Sequence, residues 1–241
     1  LKASFNKKQT ELFYMCGRYT LAGKPVDLEK QLRANLKSDV VFRSSYNIAP
    51  GSAVLAVLNE QPDCITALKW GLTPSWSKSG NKPLFLINLR DDTLRSKPAF
   101  TAYMRNRRCI VPATGFFEWK PETSHKQPYY FHCLNQEFVY FAGVWESNGA
   151  DGGNMLAIVT TEANALVGPV HNRMPVIFDA DTARIWLSEN NPDKLSRLLQ
   201  PYPADEMECW PVSSRVNKAG IDDSGLIEKT SSGSSQQSTL F

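Results

Sequence analysis

Short apolar runs, each closed by a turn and seldom separated by a helix, limit what this chain can fold into. Ala53–Leu58 and Cys64–Trp70 flank Pro62-Asp63 and read as a hairpin. Leu84–Asn88, Arg108–Pro112 and Gly115–Lys120 follow as further strands, the last two split by a turn. Pro128–Cys133 and Phe138–Glu146 read as a second hairpin around Asn135-Gln136. Met155–Thr161, Val176–Phe178 and Cys209–Val212 complete the set, which Tyr19-Thr20-Leu21 begins. Helical spacing is confined to brief stretches. Pro25–Lys37 carries Leu28, Leu32 and Leu36 on one side, and Pro98–Arg107 turns Phe100, Tyr103 and Met104 inward. Glu162–Val167, a segment capped by Asp179 and running through Leu187, and Asp193–Leu199 behind Pro192 are the others. Strands do not alternate regularly with helices, which argues against a doubly wound parallel sheet. The expected fold is α+β, with mainly antiparallel, barrel-like β structure and peripheral helices.

A chain of 241 residues without repeats or a dividing linker suits one domain, expected over 16–228. Residues 1–15 read as an extension or a misplaced start, and 229–241 (KTSSGSSQQSTLF) as a disordered tail. No apolar run approaches the ~20 residues of a membrane span, and the start has no apolar core of a signal peptide. Five scattered cysteines without a CxxC pair or Cys/His ligand spacing argue against a disulfide framework and a zinc site. No cofactor or metal is expected, and a reducing cytoplasm fits best. A net charge of +3 is too small to imply nucleic acid. Its distribution says more: Lys69–Arg108 holds nine Lys/Arg against Asp91 and Asp92 alone, a surplus that suits either a phosphate-binding surface or a solvated face.

Met15-Cys16-Gly17-Arg18 stands out chemically. If translation begins at Met15, removal of the methionine leaves Cys16 first. A terminal cysteine carries an amine titrating near ~8 and a thiol near ~8.5 on adjacent carbons. The two condense with an aldehyde, through an imine, into a five-membered thiazolidine. An internal cysteine has only an amide nitrogen and is more often a small buried hydrophobe. Glu118 lies between Phe117 and Trp119 and faces opposite to both, either as an acid–base group in apolar surroundings or as an outward-facing strand carboxylate. His171, in a polar loop with Asn172 and Arg173, is a better site candidate than His125 on the surface or His132 on a strand. Asn88 and Arg90 end an apolar strand, where they can orient an amine and hold a phosphate or simply cap the strand. Glycine-rich nucleotide loops, HExxH and GxSxG are absent from the sequence.

In order and spacing, MCGRYT, YNIAPG (46–51), KWGLTPSW (69–76), INLRDDT (87–93), RRCIVPATGFFEWK (107–120), HNRMPVI (171–177) and WPVS (210–213) resemble the SOS-response-associated peptidase (SRAP) family of abasic-site-processing proteins. The resemblance runs from Cys16 to about Val212. It implies binding of single-stranded DNA holding an abasic site, and a covalent thiazolidine between Cys16 and the ring-opened sugar aldehyde. It also implies autoproteolytic exposure of the cysteine, and a monomer in the cytoplasm, on the nucleoid when bound to DNA. By motif position Cys16 is the nucleophile, Asn88 positions its amine, Glu118 shuttles protons and His171 assists ring opening. Arg18, Trp76, Arg90, Arg107 and Arg108 are the implied DNA contacts. The family's strand motif usually reads Asn-Ala-Arg, a variable residue, Glu and Thr. Here Leu89 replaces the alanine and Asp92 the glutamate, and Asn172 stands where an aspartate often follows the histidine. Two other classes fit the residues less fully: a non-covalent single-strand-binding module with Cys16 internal, and a Cys-His thiol peptidase acting on other proteins.

Overall fold

The computed structural model describes residues 17–77, 83–147 and 153–230. In chain order the first elements are β1 (Arg18–Leu21), α1 (Pro25–Leu32), β2 (Asn35–Leu36), β3 (Ser45–Ile48), β4 (Ala53–Leu58) and β5 (Gln61–Trp70). Next come β6 (Asn88–Arg90), α2 (Asp91–Ser96), α3 (Pro98–Asn106), β7 (Arg108–Ala113), β8 (Gly115–Pro121) and β9 (Lys126–Cys133). Then follow β10 (Val139–Ser147), β11 (Asn154–Glu162), β12 (Arg173–Pro175), β13 (Ile177–Phe178), α4 (Ala180–Ser188), α5 (Pro192–Leu198) and β14 (Met207–Pro211). The class is α+β and mostly antiparallel, as the strand-rich sequence implies.

Two sheets divide the strands. The smaller runs β14-β9-β8-β1-β3, all antiparallel. The larger runs β12-β11-β10-β7-β4-β5-β2, and β11 also pairs in parallel with β5, so β5, β4, β7, β10 and β11 close on themselves. β6 joins β11 in parallel and β13 joins β10. Every residue of β7, and all of β10 but Ser147, is buried, because these strands are covered on both faces. Trp186 of α4 seals one face, its indole N–H donating to the Cys109 carbonyl over 3.0 Å. Alternation along β8 sends Phe116 into the main core and Phe117 into a smaller cluster with Tyr130, Val212, Val216 and Leu226. The smaller sheet is therefore covered on both faces at β8.

The structure corrects several expectations. α1 stops at Leu32, because Arg33 turns left-handed (φ 51°), and Leu36 passes into β2 opposite Ile65. Leu84–Asn88 is not a strand. Leu84 and Phe85 are exposed, Leu86 makes one bridge to Leu72, and β6 starts where the expected strand ends. Phe85 instead lies over Gly71, whose φ of 135° strains any side chain there and whose built Cβ would fall 2.2 Å from that ring, so Phe85 would have to move. β9 and β10 form no hairpin: the turn at Asn135 (φ 59°) passes the chain from one sheet to the other. Glu162–Val167 is not helical. β11 runs through Glu162, and Asn164 Oδ1 then accepts the N–H groups of Leu166 and Val167, giving a side-chain-stabilised turn. At the expected tail, Lys229 sits 4.7 Å over the Trp210 ring and Thr230 donates its N–H to the Pro211 carbonyl. Residues 231–241 lie outside the described residues.

Candidate functional site

β1 and β8 set the first half of the site. Arg18 opposes Phe117 and Thr20 opposes Gly115, so Gly17, the next residue out, comes into line with Glu118. Cys16, bonded to Gly17, lies outside the described residues. Glu118 shares the Phe116 face, opposes Tyr129 of β9 and is 1% exposed. A strand position that looks half-exposed in sequence is thus a buried carboxyl, because β8 is covered on both faces from Gly115 to Glu118. Arg18 points to the other face. Its Nη1 donates to Asn47 Oδ1 at 2.8 Å and reaches the Val216 carbonyl at 3.5 Å, and burial lowers its proton affinity.

From the sequence Asn47 stands out only as a member of the YNIAPG motif. In the structure it is a buried strand residue whose amide donates to the carbonyls of Val216, Lys218 and Ile221, at 3.3, 3.1 and 2.7 Å. It pins the 216–221 segment against Arg18. The signal for it was a lone polar residue between Tyr46 and Ile48.

β6, β11 and β12 set the second half. Asn88 opposes Ile158 of β11 and is half-buried, while Arg90 is exposed and opposes Thr160. Arg90 is paired with Asp92 at 2.6 Å, a contact whose hydrogen bond drives the Asp92 carboxyl down to about 2. His171 precedes β12. Its Nδ1 accepts the Arg173 N–H at 3.1 Å and lies 3.2 Å from the Arg173 carbonyl. The first contact needs a bare Nδ1 and the second an Nδ1–H, so the choice between them follows the tautomer of the ring. Burial is the largest influence and, with the charges of Lys126 and Arg173, holds the His171 pKa below its usual 6.5. Lys126 closes the β8–β9 ladder opposite Pro121, so its influence links His171 to the sheet that carries Glu118. A polar cavity of about 460 Å³ lies beside His171, lined by Arg90, Glu162, Ala163, Gly168, Asn172 and Arg173.

Trp76 and Arg107 belong to another cluster, built on Glu146. This carboxylate is 3% exposed, accepts the Ser75 N–H at 3.2 Å and the Tyr103 hydroxyl, and pairs with Arg107 at 3.0 Å. Burial raises its pKa, but the hydrogen bonds from Ser75 and Tyr103 and the Arg107 charge outweigh that and leave it lowered. Trp76 is 46% exposed and meets Phe100 edge-on at 5.5 Å, a tryptophan offered to solvent rather than capping the core. Arg108 is corrected by the structure. It is 1% exposed, and its guanidinium donates to the carbonyls of Met104, Arg105, Trp186, Leu187 and Glu189. It holds two helix ends and has no surface left for DNA.

The lowered pKa of His171 has a measurable consequence. The unfolded chain binds this proton near ~6.5 and the folded chain only at lower pH, so stability falls as pH drops below that value. The urea midpoint of the protein is expected to fall between pH 7 and 5.5 more steeply than that of His171→Gln. Parallel curves would place the proton elsewhere.

Comparison with known proteins matches the geometry to a family. Residues 15–219 match the model of the SOS response associated peptidase (SRAP) family. The abasic site processing protein YoqW of Bacillus subtilis is 38% identical over 224 residues, covering 89% of this chain and 99% of that protein. The abasic site processing protein HMCES of Xenopus tropicalis is 28% identical over 253 residues, covering 85% of this chain and 75% of that protein. The structure of a phage-related protein from Bordetella bronchiseptica superposes with a TM-score of 0.67 at 30% identity, covering 82% of this chain and 94% of that one. A protein from Bacteroides thetaiotaomicron reaches 0.77 at 22% identity, covering 89% and 100%, and shares the fold. The chain belongs to the SOS response associated peptidase family.

Proposed function

We propose that this protein captures abasic sites in single-stranded DNA as a covalent thiazolidine on Cys16. The observation that carries the reading is the β1–β8 register, which brings the residue after Cys16 into line with the buried Glu118, in a chain whose relatives are named abasic site processing proteins. The chemistry requires a free α-amine on Cys16. The bond from Met15 to Cys16 must therefore be cut, by an aminopeptidase or by the protein itself.

The steps balance without a cofactor. His171, neutral near pH 7 because burial lowers its pKa, relays a proton as the sugar opens and exposes its C1′ aldehyde. The Cys16 amine adds to that carbon, and water leaves to give an imine. The Cys16 sulfur then adds to the imine carbon and closes the ring, for a net loss of one water. Glu118 passes the protons that the nitrogen loses and the departing oxygen gains, and Asn88 orients the amine. Arg90, with Asp92 displaced by a phosphate, and Arg107 hold the strand, and the exposed ring of Trp76 stacks on a base.

Intact mass spectrometry tests the reading. Protein beginning at Cys16 is mixed with an oligonucleotide carrying one abasic site. The expected product weighs the sum of the two less one water, is absent with a tetrahydrofuran analogue that cannot open, and is absent with Cys16→Ala. An unmodified protein that only binds the strand in a salt-dependent way would replace this reading with a non-covalent module.

A further inference from the structure

We propose that Asp91 is a positioning residue for this capture reaction, an inference that rests on the function just given. Asp91 stands at the place the family motif leaves open, directly after Arg90. It is 4% exposed, and its partner Arg173 is 5% exposed. Asp91 Oδ1 accepts Arg173 Nη2 at 2.7 Å, and its other oxygen accepts Nη2 of Arg95 one helical turn on. The same Arg173 nitrogen also donates to the Thr160 carbonyl.

The geometry of this bridge gives it a role beyond packing. β6 and β12 have three residues each and lie on opposite sides of β11, with Thr160 facing Arg90 on one side and Pro175 on the other. Strands so short have few ladder bonds to fix their placement. The Asp91–Arg173 pair crosses β11 at Thr160 and ties them directly. One end of the tie belongs to the segment that bears Asn88 and Arg90. The other end is Arg173, whose backbone N–H holds the His171 ring. Among the described residues Asp91 is the one carboxylate in an ion pair with Arg173. Removing its charge leaves Arg173 held mainly by Thr160 and loosens His171 relative to Asn88 without touching either. Displacements near 1 Å between reacting groups cost about a hundredfold in rate.

The test separates strand binding from capture. Affinity is measured with an undamaged single-stranded oligonucleotide, and the first-order capture rate with an abasic one at saturating protein. Wild type is compared with Asp91→Asn and with Asp91→Asn/Arg173→Met. The double variant leaves no charge buried alone, and it supplies the reading if the single variant does not fold. Affinity is expected to stay within about twofold while capture slows by about ten- to a hundredfold in both. Capture at the wild-type rate in the double variant, or equal losses of affinity and rate, overturns the proposal. Wild-type protein that captures nothing overturns the parent reading, and this one with it.

Discussion

Glu118→Gln is expected to slow adduct formation by about 10²–10³-fold, while the affinity for an undamaged strand changes little. Glutamine keeps the shape and hydrogen-bonding reach of the side chain but can neither accept nor release a proton at neutral pH. Glu118 is buried where β8 is covered on both faces, so solvent cannot readily replace it as a proton carrier. Both condensation steps move protons, and each is reversible. The substitution should therefore slow release of the captured strand as well as its capture. The measurement is the time course of the protein–DNA band on a denaturing gel, forward with excess protein and backward after adding a competing aldehyde trap. A variant slowed forward but not backward would move proton transfer to another group. One that also loses strand affinity would make Glu118 a structural residue.

Arg108→Met is expected to lower folding stability by about 3–5 kcal/mol. The aliphatic replacement fills much of the space, so the loss comes from the carbonyls left behind. Met104 and Arg105 lie in the last turn of α3, and Trp186, Leu187 and Glu189 at the end of α4, where helix carbonyls lack partners within the helix. One planar cation satisfies all five. Arg108→Lys should recover only part of the loss, since an ammonium has three donors and no fork. Urea unfolding at neutral pH reads both variants. Unchanged stability with weakened DNA binding would restore the surface role that the basic run suggests from sequence.

These two residues show why legibility differed along the chain. Apolar periodicity exposed β4, β11 and α3 almost to their ends, because burial dictated their residue types, whereas β5 begins at Gln61 and takes in the Pro62-Asp63 pair that reads as a turn. Capping chemistry located Asp179, whose carboxylate does accept the Thr182 N–H. Pairing was another matter. β9 and β10 are adjacent in sequence and separated by a turn, yet they enter different sheets, and both send residues (Phe131 and Phe141) into the main core, so burial alone does not tell their pairing. Site residues on the quoted motifs could be named, but not their surroundings. Glu118 and Arg108 stand ten residues apart in one motif, and sequence did not show that both are buried, one carboxyl beside the entry of β1 and one cation spent on carbonyls. Asn47, Glu146 and the Asp91–Arg173 bridge act across long chain separations, which no local spacing encodes.

The tie between Arg18 and Val216 bears on when the protein becomes reactive during its own synthesis. Among the described residues β1 is the first strand, yet it sits between β3 and β8, and Arg18 Nη1 reaches the Val216 carbonyl 198 residues later. At about 5–20 residues per second, a ribosome needs on the order of ten seconds or more to supply that partner. The strand next to Cys16 therefore gains its last side-chain tie only after nearly all the described chain has emerged. On the proposed function, a half-made chain would carry Cys16 before the sheet that aligns its neighbour Gly17 with Glu118 is complete.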